Sequence, residues 1–180
     1  MEPTIKTARL TLRPVAVGDR PDLIALERDP EVMRFLNGGR ATPDGIDPEA
    51  DFLMPRGGEP GVWCARQSTD GAFVGWASLR VQSDGSAELG YRLRREAWGR
   101  GLAAEAASAL VAHGFETLDL DRIVATTMAV NRGSRRVMEK VGLVHVDTRF
   151  GSYADPLPGA EEGDVVHELT RTAWLTQGSR

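Results

Sequence analysis

The chain has 180 residues, a formal charge of -4 at pH 7 and 41% hydrophobic residues. This length suits one domain, since single domains commonly contain about 100–200 residues, and we predict one domain over residues 1–180. The acidic balance argues against non-specific nucleic-acid binding, which depends on a basic surface. The lone cysteine, Cys64, excludes a disulfide framework and a multi-cysteine metal cluster.

Membrane insertion and export are not indicated by the sequence. No apolar run approaches the roughly 18 residues that a membrane-spanning helix needs. Residues 1–6 (MEPTIK) lack the charged-then-apolar pattern of a signal peptide. No set of His, Asp or Glu has the spacing of a metal site. We therefore expect a soluble, cytoplasmic protein without a metal and without nucleic-acid or membrane partners.

The first half of the chain predicts short helices and an antiparallel meander. Asp19 is placed to cap a short helix, and Pro30 lies in the first turn of a second one. Asp70-Gly71 is a hairpin signal between two runs of β-formers. The predicted strands lie at about 8–15, 62–67, 73–81 and 87–93.

Helices and strands alternate in the second half. Apolar residues recur at helical spacing over 98–118, which predicts an amphipathic helix with His113 on its solvated face. A continuous run of β-formers over 122–130 predicts a strand covered on both faces. A second amphipathic helix follows over 131–141 and ends at Gly142. The last two strands are predicted at 143–149 and 165–172. This order predicts an α+β domain in which helices cover one central sheet.

The junction between the strand at 87–93 and the long helix carries a chemical signal. Backbone N–H groups at a helix start lack intrahelical partners and lie at the positive end of the helix dipole, so they bind anions. Gly99 and Gly101 would allow the backbone to approach an anion closely. The alternative is that the two glycines only form a turn. The nucleotide P-loop pattern is absent, and the GxGxxG pattern of dinucleotide folds is incomplete.

Several segments of the chain, in order and spacing, resemble the GNAT superfamily of acetyl-CoA-dependent N-acetyltransferases. They are residues 7–14 (TARLTLRP), 29–36 (DPEVMRFL), 88–93 (ELGYRL), 98–106 (WGRGLAAEA) and 131–143 (NRGSRRVMEKVGL). The resemblance spans most of the chain, and it is narrower to the RimJ/RimL-like branch of ribosomal-protein N-terminal acetyltransferases. It implies the GNAT fold, which has a mixed, mostly antiparallel sheet with helices on both faces and a V-shaped split between the central strands.

The resemblance also implies how acetyl-CoA, the cosubstrate, is bound. In the family the glycine turn and the helix start hold the pyrophosphate through backbone groups. The strand before the turn pairs with the pantetheine arm as an added strand would, and an amide after the next strand contacts the cofactor. Carried over by position, the cofactor-binding residues are Tyr91, Arg92, Leu93, Gly99, Arg100, Gly101, Leu102, Ala103, Ala104 and Asn131. A helix N-cap is the alternative role for Asn131, and the two roles are compatible.

Trp98 departs from the family pattern, because the first position of the motif is often Gln or Arg. A Trp is familiar there in the RimJ/RimL-like branch. It weakens the case for a side-chain contact with phosphate, while the backbone assignment stands.

Acetyl transfer needs a neutral amine and a proton for the departing thiolate. An α-amine with a pKa of about 7.7–8.0 is roughly one-tenth neutral at pH 7, whereas lysine is neutral in well under a thousandth of molecules. Glu88 is the predicted general base, because it enters the central strand close to the expected reaction point, where burial would favour that role; the alternative is an ordinary solvent-facing residue of the strand. Ser134 matches the position of a serine that the family branch uses to protonate the thiolate, and the alternative is a first-turn helix serine that satisfies the backbone.

The predicted function is therefore an N-acetyltransferase that acts on a primary amine, with a protein α-amine favoured. One alternative acceptor is a small-molecule amine such as an antibiotic, a polyamine or an amino-acid derivative. Another alternative is a non-catalytic CoA-binding module. Acceptor choice is expected to depend on the loops at 36–60 and 151–164. The resemblance also suggests a homodimer.

Overall fold

The structure, a computed structural model, describes residues 2–40, 55 and 57–177. Its helices and strands follow the predicted order, with a short first strand and a last helix added. The strands are β1 (Ile5–Lys6), β2 (Leu10–Pro14), β3 (Val62–Gln67), β4 (Phe73–Val81), β5 (Ala87–Leu93), β6 (Arg122–Met128), β7 (Val144–Arg149) and β8 (Asp164–Thr170). The helices are α1 (Arg20–Glu27), α2 (Pro30–Asn37), α3 (Leu102–Glu116), α4 (Arg132–Lys140) and α5 (Arg171–Gln177).

Two compact units make up the described chain. The first unit comprises Met1–Ser78 and Tyr91–Ala106, and the second comprises Leu79–Gly90 and Ala107–Arg180. Strands β4 and β5 and helix α3 each contribute residues to both units. The prediction of one domain over the whole chain stays a prediction.

The first unit contains an antiparallel meander in the strand order β1-β2-β3-β4. The predicted hairpin between β3 and β4 is confirmed: Gly71 has a φ of 72° and donates its N–H to the carbonyl of Gln67 at 2.9 Å. Buried side chains of the meander and of α1 and α2 form one apolar cluster, which includes Leu23, Val62 and Trp76. Cys64 belongs to this cluster, and burial raises the pKa of its thiol to about 12.

Asp19 does not cap α1 with its side chain, contrary to the sequence prediction. Its carboxylate is fully buried, accepts the N–H of Ala16 and forms ion pairs with Arg13 and Arg66. Burial acts to raise its pKa, but the two guanidinium groups and the N–H outweigh burial and hold the pKa below its ordinary value. The carboxylate can either cap the helix or pair with the two guanidinium groups, and in this structure it forms the ion pairs.

Strand order in the second unit is β5-β6-β8-β7. Strands β6 and β8 and strands β8 and β7 are antiparallel neighbours, whereas β5 and β6 are parallel. Among the described residues the parallel register covers Ala87↔Ile123 and Glu88↔Val124, although both strands continue beyond these pairs. The predicted mixed, mostly antiparallel sheet with helices is confirmed.

Helix α3 is shorter than the predicted 98–118 because the chain turns through 98–101 before the helix begins. His113 is 8% exposed, so its predicted position on a solvated face is wrong. Beside it, Gly114 brings the helix close to the sheet: a Cβ there would lie 2.9 Å from Leu79 and 3.0 Å from Ile123. Because the helix packs so closely on the sheet, neighbouring residues also bury part of its polar face, including His113.

Helix α5 replaces the predicted end of the last strand. The N–H of Arg171 donates to the carbonyl of Asp121 at 2.9 Å, which turns the chain out of the sheet. Trp174 then packs against Phe115 with ring centroids 5.4 Å apart. Within the described ranges, no helix has the length and apolar character that crossing a bilayer requires.

Candidate functional site

Gly99 and Gly101 lie in a turn between the end of β5 and the start of α3. Gly99 and Gly101 have φ angles of 71° and 76°, a left-handed region that costs other L-residues about 1–2 kcal/mol. Among the residues that the structure describes, a Cβ at Gly99 would meet nothing within 4 Å, and a Cβ at Gly101 would meet only Arg9 Nη2, at 3.6 Å. Backbone conformation, rather than crowding, therefore requires these glycines, and open space lies beside them.

The first turn of α3 presents backbone donors next to that space. The intrahelical hydrogen bonds begin with Glu105, whose N–H donates to the carbonyl of Gly101 at 3.0 Å. The N–H groups of Leu102, Ala103 and Ala104 precede it and have no carbonyl available within the helix. A helix start of this kind binds oxyanions.

A cluster of polar contacts, which we term the Glu105 clasp, holds the turn in place. Glu105 Oε1 accepts hydrogen bonds from the Thr7 hydroxyl at 2.6 Å and from the Arg9 N–H at 2.7 Å, and Oε2 accepts one from Arg9 Nε at 2.6 Å. Arg9 Nη1 also donates to the carbonyl of Arg100 at 2.9 Å. The positive charge of Arg9 offsets the negative charge of Glu105, which would otherwise repel an anion at the helix start.

The pKa of Glu105 reflects these contacts. Burial acts to raise it, but the hydrogen bonds from Thr7 and Arg9 outweigh burial and lower the pKa below its ordinary value. Both partner segments carry the family resemblance, at 7–14 and 98–106, but the contact between them was not predicted.

Trp98 joins the turn to the end of β5. Its indole Nε1 donates to the carbonyl of Leu93 at 2.9 Å, so this residue has a structural role in the position where the family often carries Gln or Arg. Strand β4 approaches β5 closely at the same point. A Cβ on Gly75 would collide with the carbonyl of Arg92, so only glycine fits there. An isolated glycine within a strand is a signal of such an approach.

Arg92 has its side chain in the interior of the first unit. It forms an ion pair with Glu27, and the two side chains are 9% and 3% exposed. Its guanidinium carbon lies 5.2 Å from the centroid of the Trp76 ring. Burial raises the pKa of Glu27, although Arg92 partly counteracts the shift. The predicted cofactor contacts of Tyr91, Arg92 and Leu93 are untested, and for Arg92 only the backbone is available for one.

Glu88 lies in the second unit, in the parallel register opposite Val124. Its side chain is exposed, whereas its neighbours Ala87 and Leu89 are 0% and 3% exposed. This exposure agrees with the alternative of a solvent-facing strand residue, and the general-base role of Glu88 stays a prediction. The alternation of β5 turns this carboxylate to the opposite face from its neighbours.

Asn131 caps α4, as the alternative reading of this residue predicted. Its side-chain Oδ1 accepts the N–H of Ser134 at 3.1 Å, and its Nδ2 donates to the Thr127 hydroxyl at 3.1 Å. The cap thus fixes Ser134, a half-buried residue, in the first turn of the helix. An amide can make further hydrogen bonds through both its oxygen and its nitrogen, so the cap leaves capacity for a ligand.

The loop that precedes β8 contacts the chain just before Asn131. Ala129 donates its N–H to the carbonyl of Gly163 at 2.9 Å, and a Cβ on Gly159 would lie 2.7 Å from Val130. The acidic side chains of this loop that face solvent are Asp155, Glu161 and Glu162. In the other predicted acceptor loop, residues 41–54 and 56 lie outside the described residues. Among the residues that the structure describes, no group of three or more His, Cys, Asp and Glu could hold a metal ion.

Comparison with known protein families gives a match to a family model. The model of the acetyltransferase (GNAT) domain matches residues 9–144. This range includes the glycine turn, Glu88, Asn131 and Ser134, which the sequence analysis singled out.

Individual proteins show similar relationships. The Aspergillus fumigatus FsC-acetyl coenzyme A-N(2)-transacetylase is 36% identical over 97% of this chain and 79% of its own length. The Bacillus subtilis protein YdaF, provisionally named a ribosomal N-acetyltransferase, is 31% identical over 58% of this chain and 57% of its own length. Among solved structures, the spermidine N-acetyltransferase of Vibrio cholerae in complex with CoA and spermine has a TM-score of 0.73. That likeness covers 94% of this chain and 99% of the other at 15% identity, and it shows a shared fold.

Proposed function

The chain belongs to the GNAT acetyltransferase family, and we propose that this acetyl-CoA-dependent N-acetyltransferase acts on a primary amine of a small molecule. The observation that carries this choice of acceptor is the likeness to the Aspergillus fumigatus protein, whose name specifies transfer to an N(2) nitrogen. That likeness extends over nearly the whole chain. It therefore includes the loops that differ most among enzymes with different acceptors.

The residues of the first unit fit the phosphate groups of the cosubstrate. Two left-handed glycines, open space beside Gly101 and the donors of the first turn of α3 provide a backbone anion site. We assign pyrophosphate binding to residues 99–104 and pantetheine pairing to the backbone of 91–93. Asn131 is proposed as a further contact in addition to its role as an N-cap.

Acetyl-CoA supplies the acetyl group as an activated thioester, and the side chains proposed for the reaction lie in the second unit. As the C–N bond forms and the C–S bond breaks, the amine must lose a proton and the sulfur must gain one. We assign the first transfer to Glu88, through water, and the second to the Ser134 hydroxyl. An exposed carboxylate is a weak base, which suits an amine that is already partly neutral.

The loop before β8 supports a cationic acceptor. Its solvent-facing charges are all acidic, and it contacts the chain just before Asn131, which holds Ser134. Carboxylates attract an ammonium group and raise its local concentration. This electrostatic argument applies to any amine acceptor and does not separate a small molecule from a peptide.

A protein α-amine is the second candidate acceptor. It is favoured by the resemblance of several segments to the RimJ/RimL-like branch and by the partial likeness to YdaF. A cytoplasmic location and a homodimer remain proposals that accompany this reading.

A competition between acceptor classes tests the proposal. The purified chain would be incubated with acetyl-CoA and either free amino-acid amides and polyamines or short peptides with free N-termini. Thiol release and product mass would be measured, and peptides whose only amine is on lysine would serve as control. We expect small amines to be acetylated with the higher kcat/KM. Transfer confined to peptide N-termini would contradict the small-molecule acceptor and establish the second candidate.

A further inference from the structure

A cavity in the second unit, which is widely open to solvent, is not used by the proposed chemistry. It has a volume of about 580 Å³ and lies among the end of α4, strands β7 and β8, and the last residue of α5. The residues that line it are Arg135, Glu139, Lys140, Gly142, Leu143, Val144, His145, His167 and Gln177. None of them belongs to the residues assigned above to the cosubstrate or to proton transfer.

Two buried polar atoms of this lining have no hydrogen-bond partner among the described residues. One is Nδ1 of His167, a residue that is 1% exposed, and the other is Nε of Arg135. Buried polar groups are nearly always paired, and an unpaired one costs about 1–3 kcal/mol. Arg135 already uses Nη1 to donate to the carbonyl of Ala129 at 3.1 Å, which fixes the guanidinium while its Nε–H stays without a partner among the described residues.

The two histidines of the cavity are cross-strand partners. His145 and His167 are directly opposite in the antiparallel register of β7 and β8, and their rings meet edge to face at a centroid distance of 5.6 Å. His145 is also hydrogen-bonded to the Thr148 hydroxyl at 2.9 Å. These contacts hold both rings in place at the wall of the cavity.

The charge of the lining selects the kind of ligand. Burial lowers the pKa of His167, and His145 and Arg135 lower it further while Glu139 opposes them, which favours the neutral ring. The other charged side chains of the lining are two cations, Arg135 and Lys140, and one carboxylate, Glu139. A single negative charge on a ligand would balance the cationic excess.

We propose that this cavity binds the carboxylate group of a small organic acid. The Nε–H of an arginine, with the adjacent Nη, forms the edge of the guanidinium that carboxylates prefer. A neutral imidazole can carry its proton on Nδ1 and donate a second hydrogen bond. Leu143 and Val144 give the cavity an apolar wall, so the acid would have a small apolar body. A doubly charged phosphate would face the carboxylate of Glu139 and is disfavoured.

The proposal is tested with benzoate as the probe, titrated into the full chain at pH 7. Binding would be followed through the imidazole proton signals of the histidines by NMR. We expect saturable shifts of His145 and His167 with little change at His113. Benzamide, which has the same shape without the charge, is expected to bind at least about tenfold more weakly, since a charge-assisted pair is lost.

Variants separate the cavity from general charge effects. Lys140→Gln and Arg136→Gln remove one positive charge each from exposed positions of α4, but only Lys140 lines the cavity. We expect Lys140→Gln to weaken benzoate binding about threefold and Arg136→Gln to leave it unchanged, because screening limits the effect of charges outside the cavity. Arg135→Gln should weaken binding about tenfold or more.

Three outcomes would overturn the proposal. The first is that benzoate causes no saturable shift in the wild-type chain. The second is that benzamide binds as tightly as benzoate. The third is that inorganic phosphate binds more tightly than benzoate. If Arg135→Gln does not fold, the comparison of the two exposed α4 variants still decides the role of the cavity charge.

Discussion

The glycine turn and the Asn131–Ser134 segment are both strand-to-helix junctions, but they are built differently. The turn before α3 presents backbone N–H groups, and its shape depends on two positive φ angles and on the Glu105 clasp. The junction before α4 presents side chains, and its shape depends on one N-cap hydrogen bond. A site built from backbone N–H groups should tolerate most side-chain substitutions but fail when the backbone conformation changes. A site built from side chains should instead fail when one functional group is removed, even if the backbone is unchanged.

The largest effect is expected where conformation and charge are both changed in the turn. Gly101→Glu places a side chain at a φ of 76° and a negative charge at the helix start, so we expect acetyl-CoA affinity to fall about 100-fold or more. Isothermal titration calorimetry measures it. Gly85→Glu is a matched control, since Gly85 has a φ of 80°, open space around it and a position outside the site. Equal affinity for the two variants would refute the phosphate assignment.

The side-chain junction should respond to the loss of a single hydroxyl. Ser134→Ala retains the N–H that Asn131 accepts, so the helix start should persist while kcat falls about 100-fold through loss of the general acid. The KM for acetyl-CoA should change little. Ser108→Ala, the same change at an exposed position of α3, serves as control. If kcat stayed within twofold of wild type, Ser134 would have no part in the mechanism.

The comparison also explains which parts of the molecule the sequence could predict. Local signals were sufficient for the hairpin at Gly71, the turn at Gly99 and Gly101 and the helix end at Gly142, because each depends on a backbone conformation that glycine favours. Asn131 as an N-cap has the same origin, since Asn is a good cap at the start of a helical pattern.

Long-range pairs were not predictable in this way. Glu105 with Arg9 and Glu27 with Arg92 are 96 and 65 residues apart in the chain, and nothing local to either residue indicates its partner. The burial of His113 was not predicted for a related reason. Burial depends on the packing of a whole element, and a single residue type does not determine it.

The Glu105 clasp predicts a pH-dependent contribution to stability. Glu105→Gln should lower the free energy of unfolding by about 1–2 kcal/mol at pH 7, because hydrogen bonds to a charged carboxylate are weakened at a partly exposed site. The folded-state pKa of Glu105 is lowered, so this stabilisation is present above the unfolded-state pKa and is lost as pH falls through the folded-state value.

Urea denaturation at pH 7 and at lower pH measures the clasp directly. The difference between wild type and Glu105→Gln should shrink as the pH falls below the ordinary glutamate value. Glu116→Gln changes an exposed residue at the end of the same helix and should have little effect at either pH. A difference that is independent of pH would show that the carboxylate charge does not contribute.

The smallest effect is expected for Glu88, and its size depends on the basicity of the acceptor amine. About one-tenth of an α-type amine is neutral at pH 7, so a base that supplies the neutral form can accelerate the reaction by no more than about tenfold. We therefore expect Glu88→Gln to lower kcat/KM for the amine about three- to tenfold at pH 7 and to have less effect at pH 9. Initial rates at both pH values measure this. A 1,000-fold loss at pH 7 would instead indicate an acceptor of lysine-like basicity, of which well under a thousandth is neutral at that pH. Glu88, an exposed carboxylate, would then have to deprotonate nearly every acceptor molecule, which contradicts the role of a weak base.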